Sequence, residues 1–232
     1  MRIPKHDFYE KLASEGHILV AGATGSGKSV VLNGLIVSAI CNNSSVILLD
    51  PKGGAEFGIY RDCLNTLAYA GDLDDFAPAL EKAVKIMATR YAELTAKRLR
   101  KSEESPVYVI IDEYGDMMSD RKKELQPLLL KLARKGRAAN VRLILATQSP
   151  YKSIITGDIK ANMQSTVALR TRARSDSRLI IDAEGAETLN VGEALVLHKG
   201  AFTPTRERVP MYSDDLLEEL ARWRTPPRKR WK

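Results

Sequence analysis

One stretch near the N-terminus limits what this chain can become. Gly22-Ala23-Thr24-Gly25-Ser26-Gly27-Lys28-Ser29 fits the phosphate-loop pattern G-x-x-x-x-G-K-S/T. Its glycines allow successive backbone N–H groups to turn inward onto phosphate oxygens. Lys28 is then placed to reach the β- and γ-phosphates of a nucleotide, and Ser29 to ligate Mg²⁺. Such a loop needs a buried strand before it and a helix after it, because the helix directs its positive end at the phosphates. His17 to Ala21 (HILVA) reads as the strand and Lys28 to Ile40 as the helix.

The rest of the chain continues the alternation. Ser45 to Asp50, Val107 to Asp112 and Arg142 to Ala146 are apolar runs of strand length, and Leu67 to Ala70 is a weaker one. Phe76, Leu80, Ala83, Val84, Met87, Tyr91 and Leu94 recur at helical spacing, predicting a helix over 73–98. Gln126 to Ala139 reads as a helix with Pro127 in its first turn. Gln148 to Met163 reads as a long loop, Thr166 to Leu169 and Ala194 to His198 as short strands. Ser213 caps a last helix with Asp214 and Asp215 at its positive end. Strands apolar throughout, alternating with helices, indicate an α/β fold: a mainly parallel sheet flanked by helices on both faces. One domain is expected over 1–224, followed by a disordered basic tail over 225–232.

Further motifs fall where such a sheet presents its ligand edge. Asp112-Glu113 follows four apolar residues and fits a Walker B element. Asp112 would hold Mg²⁺ through water and Glu113 would polarise an attacking water. Gln148 ends another strand on the same edge, where it would sense a γ-phosphate or orient water. Arg134 and Lys135 read as a solvated helix end that complements the helix dipole. Arg137 carries a second reading, an arginine finger entering a neighbour's site.

Composition narrows the class. Lys and Arg number 36 against 29 Asp and Glu, for a net charge of +7. The excess is local: residues 1–120 are net −4, 121–178 net +11, 179–221 net −6 and 222–232 net +6. Lys160, Arg170, Arg172, Arg174 and Arg178 lie in the basic block, with 170, 172 and 174 on one side of an extended segment. They suggest a phosphate-contacting surface, with no interleaved aromatic for base stacking. Val30 to Ile40 is too short to span a bilayer, and no signal peptide precedes it. Cys41 and Cys63 read as two free thiols, which suits a cytoplasmic protein. Three His and two Cys show no metal-ligand spacing.

Several segments together resemble the motor domain of FtsK/SpoIIIE DNA translocases, within the FtsK–HerA class of P-loop ATPases. They are HILVAGATGSGKSVVLN (17–33), LLDPK (48–52), MATRY (87–91), VIIDEYGDMM (109–118), GRAANVRLILATQ (136–148), ITGDIKAN (155–162), DSRLIID (176–182), GAETL (185–189) and KGAF (199–202). The resemblance implies a RecA-like fold closing into a hexameric ring on double-stranded DNA, with ATP between subunits and Arg137 as a finger in trans. It also implies that Lys160 and Arg174 contact the DNA backbone. The family's pore cation after the glutamine is replaced by Ser149, with Lys152 as a substitute. Residues 53–66 match poorly, and the family's membrane segment and winged-helix domain have no counterpart here. The expectation is therefore a compact motor of a mobile element or phage, acting in DNA transfer or packaging, with room for a membrane-anchored partner. Three alternatives stay open: a conjugative coupling ATPase on single strands, an ATP-switched DNA-binding or assembly factor, and a small-molecule phosphotransferase.

Overall fold

A strand that is apolar at every position needs cover on both faces, and the sheet provides it. In this computed structural model, residues 3–148, 150–151 and 153–226 are described. Ser149, Lys152 and the tail from 227, with Trp231, lie outside them. The elements run α1 (Asp7–Glu15), β1 (Ile18–Ala21), α2 (Lys28–Cys41), β2 (Ser45–Leu49), β3 (Thr66–Ala70), α3 (Leu73–Lys97), β4 (Val107–Ile111), α4 (Tyr114–Asp120), α5 (Lys122–Lys135), β5 (Val141–Thr147), α6 (Gly157–Lys160), β6 (Ser165–Ala168), α7 (Arg174–Ile181), β7 (Glu193–Leu197), β8 (Thr205–Arg208) and α8 (Asp214–Arg224). One sheet has the order β3-β2-β4-β5-β1-β6-β7-β8. The strands from β3 to β6 are parallel, and β7 and β8 are antiparallel additions.

Residue parity divides the core. Leu19, Ile47, Leu49, Val109, Ile111, Leu143 and Leu145 face one layer, with Phe76, Leu80 and Met87 of α3 and Leu125, Leu129 and Leu132 of α5. Ile18, Val20, Val46, Leu48, Ile110, Ile144 and Ala146 face the other, with Leu32, Leu35 and Ile36 of α2 and Leu217 and Leu220 of α8. The α/β fold class read from the sequence is therefore the fold of the protein.

Several boundaries differ from expectation. The helix placed at 126–139 starts at Lys122 and ends at Lys135, so Pro127 sits inside it. Packing of Leu125, Leu129, Leu132 and Ala133 outweighs the hydrogen bond that proline removes. Arg137 consequently lies in the turn after the helix. The expected loop 148–163 contains α6, capped by the Thr156 hydroxyl, which accepts from the Ile159 N–H. Arg170, Arg172 and Arg174 do not share an extended segment, because Arg174 opens α7. Helices α1 and α4 and strand β8 have no counterpart in the sequence reading. β8 (TRER) is short, charged and at the sheet edge, which discourages pairing with another chain.

Helix α1 owes its place to one close approach. A methyl at Gly34, in the middle of α2, would lie 2.0 Å from the Tyr9 ring. Tyr9 is fully buried there, and its hydroxyl donates to the Pro210 carbonyl. Gly34→Ala should therefore lower stability by about 3 kcal/mol through overpacking, read as a shifted urea midpoint. An unchanged midpoint would contradict this packing.

His17 is fully buried, and its Nδ1 accepts the Leu143 N–H at 2.8 Å. Burial, with the nearby Arg142 and Arg137 charges, pushes its pKa down to about 4. Below the ordinary histidine value of about 6.5 the unfolded chain binds a proton that the native chain refuses. Stability should then fall by about 3 kcal/mol from pH 6.5 to pH 4. Urea titrations across that range should show a shallower decline in His17→Gln, and parallel declines would remove His17 as the cause.

Candidate functional site

The ends of β1, β2, β4, β5 and β6 lie along one sheet edge, because the strands run parallel in close register. The phosphate loop leaves β1 in the middle of that edge. It is tied to both neighbours: Gly22 N–H donates to the Thr147 carbonyl and Ala23 N–H to the Arg170 carbonyl at 2.9 Å. Gly25 and Gly27 have φ of 73° and 97°, the left-handed region that glycine adopts without strain. Gly27 also opens α2.

The loop fits a polyphosphate. Among the described residues, the N–H groups of Gly25, Gly27 and Lys28 make no backbone hydrogen bond. Apart from the adjoining residues, no heavy atom among the described residues lies within 4 Å of where a Cβ of Gly25 or Gly27 would stand. The Ser26 hydroxyl is buried without a partner. Thr24 Oγ1 donates to the Gln148 side-chain oxygen at 2.7 Å, so the expected sensor touches the loop directly. Beside Ser29 lies a cavity of about 400 Å³ with Val30, Ile59 and Met211 as apolar wall and Asn33 and Asp214 as polar groups.

Four charged side chains meet at the loop's inner side. Lys28 Nζ donates to the Asp112 carbonyl at 2.8 Å and to Glu113 Oε2 at 2.8 Å, and lies 3.5 Å from Asp112 Oδ1. Lys52 Nζ is 2.8 Å from Asp112 Oδ2. Asp112 is completely buried, and neither oxygen receives a well-angled hydrogen bond. Among the described residues, two ammonium groups compensate it. Glu113 is held more fully: Thr147 Oγ1 donates to Oε1 at 2.6 Å and the Gln148 N–H to the carboxylate at 3.0 Å. For Lys52, partial burial would lower the pKa, but contact with Asp112 and the charges of Glu56 and Glu113 raise it.

Lys28, Ser29, Asp112, Glu113 and Gln148 are thus brought together, with Gly22 to Gly27 around them. Sequence reasoning missed two members. Lys52 and Thr147 stand in the sequence only within the segments LLDPK and GRAANVRLILATQ, with no role of their own. Among the described residues no group of three His, Cys, Asp or Glu side chains is placed to hold a metal ion. For a divalent cation bound with nucleotide and water, Ser29 and, through water, Asp112 remain the residues expected from the sequence to hold it.

Three expected residues lie elsewhere. Arg137 is exposed at the start of β5, on the opposite sheet edge. Seven strand residues separate it from the loop, roughly 20 Å, so it is far from the phosphate loop of its own chain. It lines a concavity of about 370 Å³ with Arg100, Lys101, Arg134 and Lys135. Lys160 Nζ is engaged within the chain, donating to the Leu179 carbonyl at 2.9 Å and to Asp182 at 2.7 Å. Arg174 is exposed, with Glu187 at 3.6 Å and Glu184 at 4.0 Å. Cys41 and Cys63 are free thiols, and no helix among the described residues is long and apolar enough to cross a membrane.

Known proteins are similar to this chain in sequence and in fold. Residues 1–105 match the FtsK/SpoIIIE family. The DNA translocase FtsK of Bacillus cereus is 35% identical over 232 aligned residues, covering 89% of this chain and 29% of that protein. The DNA translocase SpoIIIE of Bacillus subtilis is 35% identical, over 88% of this chain and 29% of its own. The chain thus spans under a third of the curated relatives it matches. The pCW3 conjugation coupling protein TcpA, solved with ATPγS, superposes with a TM-score of 0.82 at 24% identity, covering 96% of this chain and 75% of that one. The sheet, the phosphate loop and the extent of sequence identity lead to one conclusion: residues 1–105 carry an FtsK/SpoIIIE-family domain, and nearly nine-tenths of the chain is similar to the FtsK and SpoIIIE DNA translocases.

Proposed function

We propose that this chain is an ATP-hydrolysing motor that moves double-stranded DNA, working in the cytoplasm as a closed ring of six copies. One observation carries the reading. The phosphate loop, Asp112, Glu113 and Gln148 converge on one sheet edge, while the basic turn with Arg137 lies on the opposite edge. A site incomplete in its own chain, with a cation exposed at the far end, suits a head-to-tail assembly, and heterologous contacts of that kind close into rings.

Gly22 to Ser29 would cradle the triphosphate, and the cavity at Val30 and Met211 would take the nucleoside. Bound Mg²⁺·ATP supplies the γ-phosphoryl group and neutralises part of its charge. Lys28 would exchange Glu113 for phosphate. Glu113, still held by Thr147 and the Gln148 N–H, would then have Oε2 released from Lys28 and able to orient a water and take its proton. Gln148, tethered to Thr24, would report the γ-phosphate. Arg137 of the neighbouring subunit would stabilise charge in the transition state. Lys160 and Arg174, with Arg170 and Arg172 exposed nearby, would meet the DNA backbone, which attracts cations whatever its sequence. Asp182 would give up Lys160 to a phosphate.

Mixing two inactive variants tests this reading. Arg137→Ala lacks the finger and Glu113→Gln lacks the water-orienting carboxylate, so each alone should hydrolyse ATP poorly. In a 1:1 mixture about a quarter of the interfaces in a heterologous ring combine an intact Glu113 with an intact Arg137. ATPase activity should return to about that fraction of the wild type. A mixture no more active than its parents would exclude catalysis across the interface.

Lys160→Ala and Arg174→Ala should weaken duplex binding at every sequence tried. Each should reduce the slope of log affinity against log salt by about 0.9. An unchanged slope would remove that residue from the DNA surface.

A further inference from the structure

Lys52 is the one charged member of the buried cluster that the phosphate-loop logic does not require. It comes from the turn after β2, and that turn is built with care. Asp50 is fully buried, and its carboxylate accepts three backbone N–H groups, from Lys52 at 3.1 Å, Glu56 at 2.8 Å and Phe57 at 3.0 Å. The turn passes through Gly53 and Gly54, both with positive φ. At Gly54 a Cβ would stand 2.2 Å from the Tyr69 hydroxyl oxygen. β2 and β4 pair with Leu49 opposite Ile111, and the Asp112 N–H donates to the Leu49 carbonyl at 3.1 Å. The residues after the two strands are therefore neighbours, and the turn delivers the Lys52 ammonium onto Asp112 Oδ2 at 2.8 Å. Glu56 Oε1 lies 3.8 Å from the same ammonium.

The two lysines occupy different positions. Lys28 is 5% exposed and bonded chiefly to Glu113 and to the Asp112 carbonyl. The Lys52 side chain is 35% exposed, so it covers Asp112 from the solvent side and has room to withdraw, with Glu56 as a second partner.

We propose that Lys52 is a resident counter-cation of Asp112, paired with the carboxylate beside which a divalent cation would bind, so that this lysine sets how tightly the site takes its metal. The inference rests on the ATPase reading and adds a positioning residue to it. A fully buried carboxylate left without a cation is costly, and Lys52 pairs with Asp112 and holds its side chain in place while no metal is bound. A metal bound beside Asp112 would compete with Lys52 for the carboxylate, and the lysine's charge would oppose the incoming ion. Replacing it by a neutral side chain therefore tightens metal binding, whereas a lysine with a merely structural role would loosen the site or leave it unaltered.

The test is Mn²⁺ titration, followed by electron paramagnetic resonance, of the full chain saturated with a non-hydrolysable ATP analogue and without DNA. Lys52→Met should bind Mn²⁺ about five- to tenfold more tightly than the wild type, and Lys52→Arg, which keeps the charge, should bind close to the wild type. Lys52→Gln serves the same purpose should the methionine variant fail to fold. Unaltered or weaker Mn²⁺ binding in the neutral variants would overturn the proposal. A wild type that takes neither the analogue nor Mn²⁺ would instead refute the ATPase reading on which it stands.

Discussion

The site depends on a buried ion cluster with no net charge. Lys28 and Lys52 face Asp112 and Glu113 at the end of β4, in a place where Asp112 is fully enclosed and Glu113 nearly so. Removing charges from water costs several kcal/mol per ion unless each is paired. The pairing here is uneven. Glu113 has directed hydrogen bonds from Thr147, the Gln148 N–H and Lys28, whereas among the described residues the Asp112 carboxylate has ion pairs with Lys28 and Lys52. The better-held carboxylate is suited to a fixed geometric task and the less-held one to exchanging partners. That asymmetry fits the division between a water-orienting and a metal-holding group.

The fold places this cluster through its strand order. β1 lies between β5 and β6, so the phosphate loop is fixed by backbone hydrogen bonds to both flanking segments. Gln148 follows β5 and touches Thr24 of the loop. Gln148 is followed along the chain by the segment that contains α6 and Lys160. Lys160 in turn holds Asp182 and the Leu179 carbonyl at the end of α7, whose first residue is Arg174. A short covalent and hydrogen-bonded route thus joins the nucleotide-facing edge to the cations proposed for DNA. Arg137 takes no part in that route and faces away on the other edge.

Much of this was legible from residue order. The phosphate loop, the strand ending in Asp112-Glu113 and the strand ending before Gln148 are each long apolar runs with a polar stop, and a buried parallel strand leaves that trace. Other elements left no such trace. Helix α1 is short and lacks a side-chain cap; it is held by Tyr9 packed on Gly34, a contact between distant residues. The start of α5 was hidden by Pro127, whose local cost is outweighed by the apolar face packed on α3. Arg174 looked extended because arginines alternate around it, yet Ser177 and Ile180 are buried and draw that segment into a helix. Lys52 could be seen in the sequence but not assigned, because its role depends on a turn organised by Asp50 and on the register between β2 and β4.

The central claim is that an ATPase site on one sheet edge is completed by an arginine on the opposite edge of another copy, and that duplex DNA organises the copies. ATP turnover per chain, measured as a function of protein concentration with and without double-stranded DNA, tests it most directly. Turnover per chain should rise with concentration, and duplex DNA should move the half-maximal point to lower concentration. A rate per chain that is constant with concentration and indifferent to DNA would contradict the account.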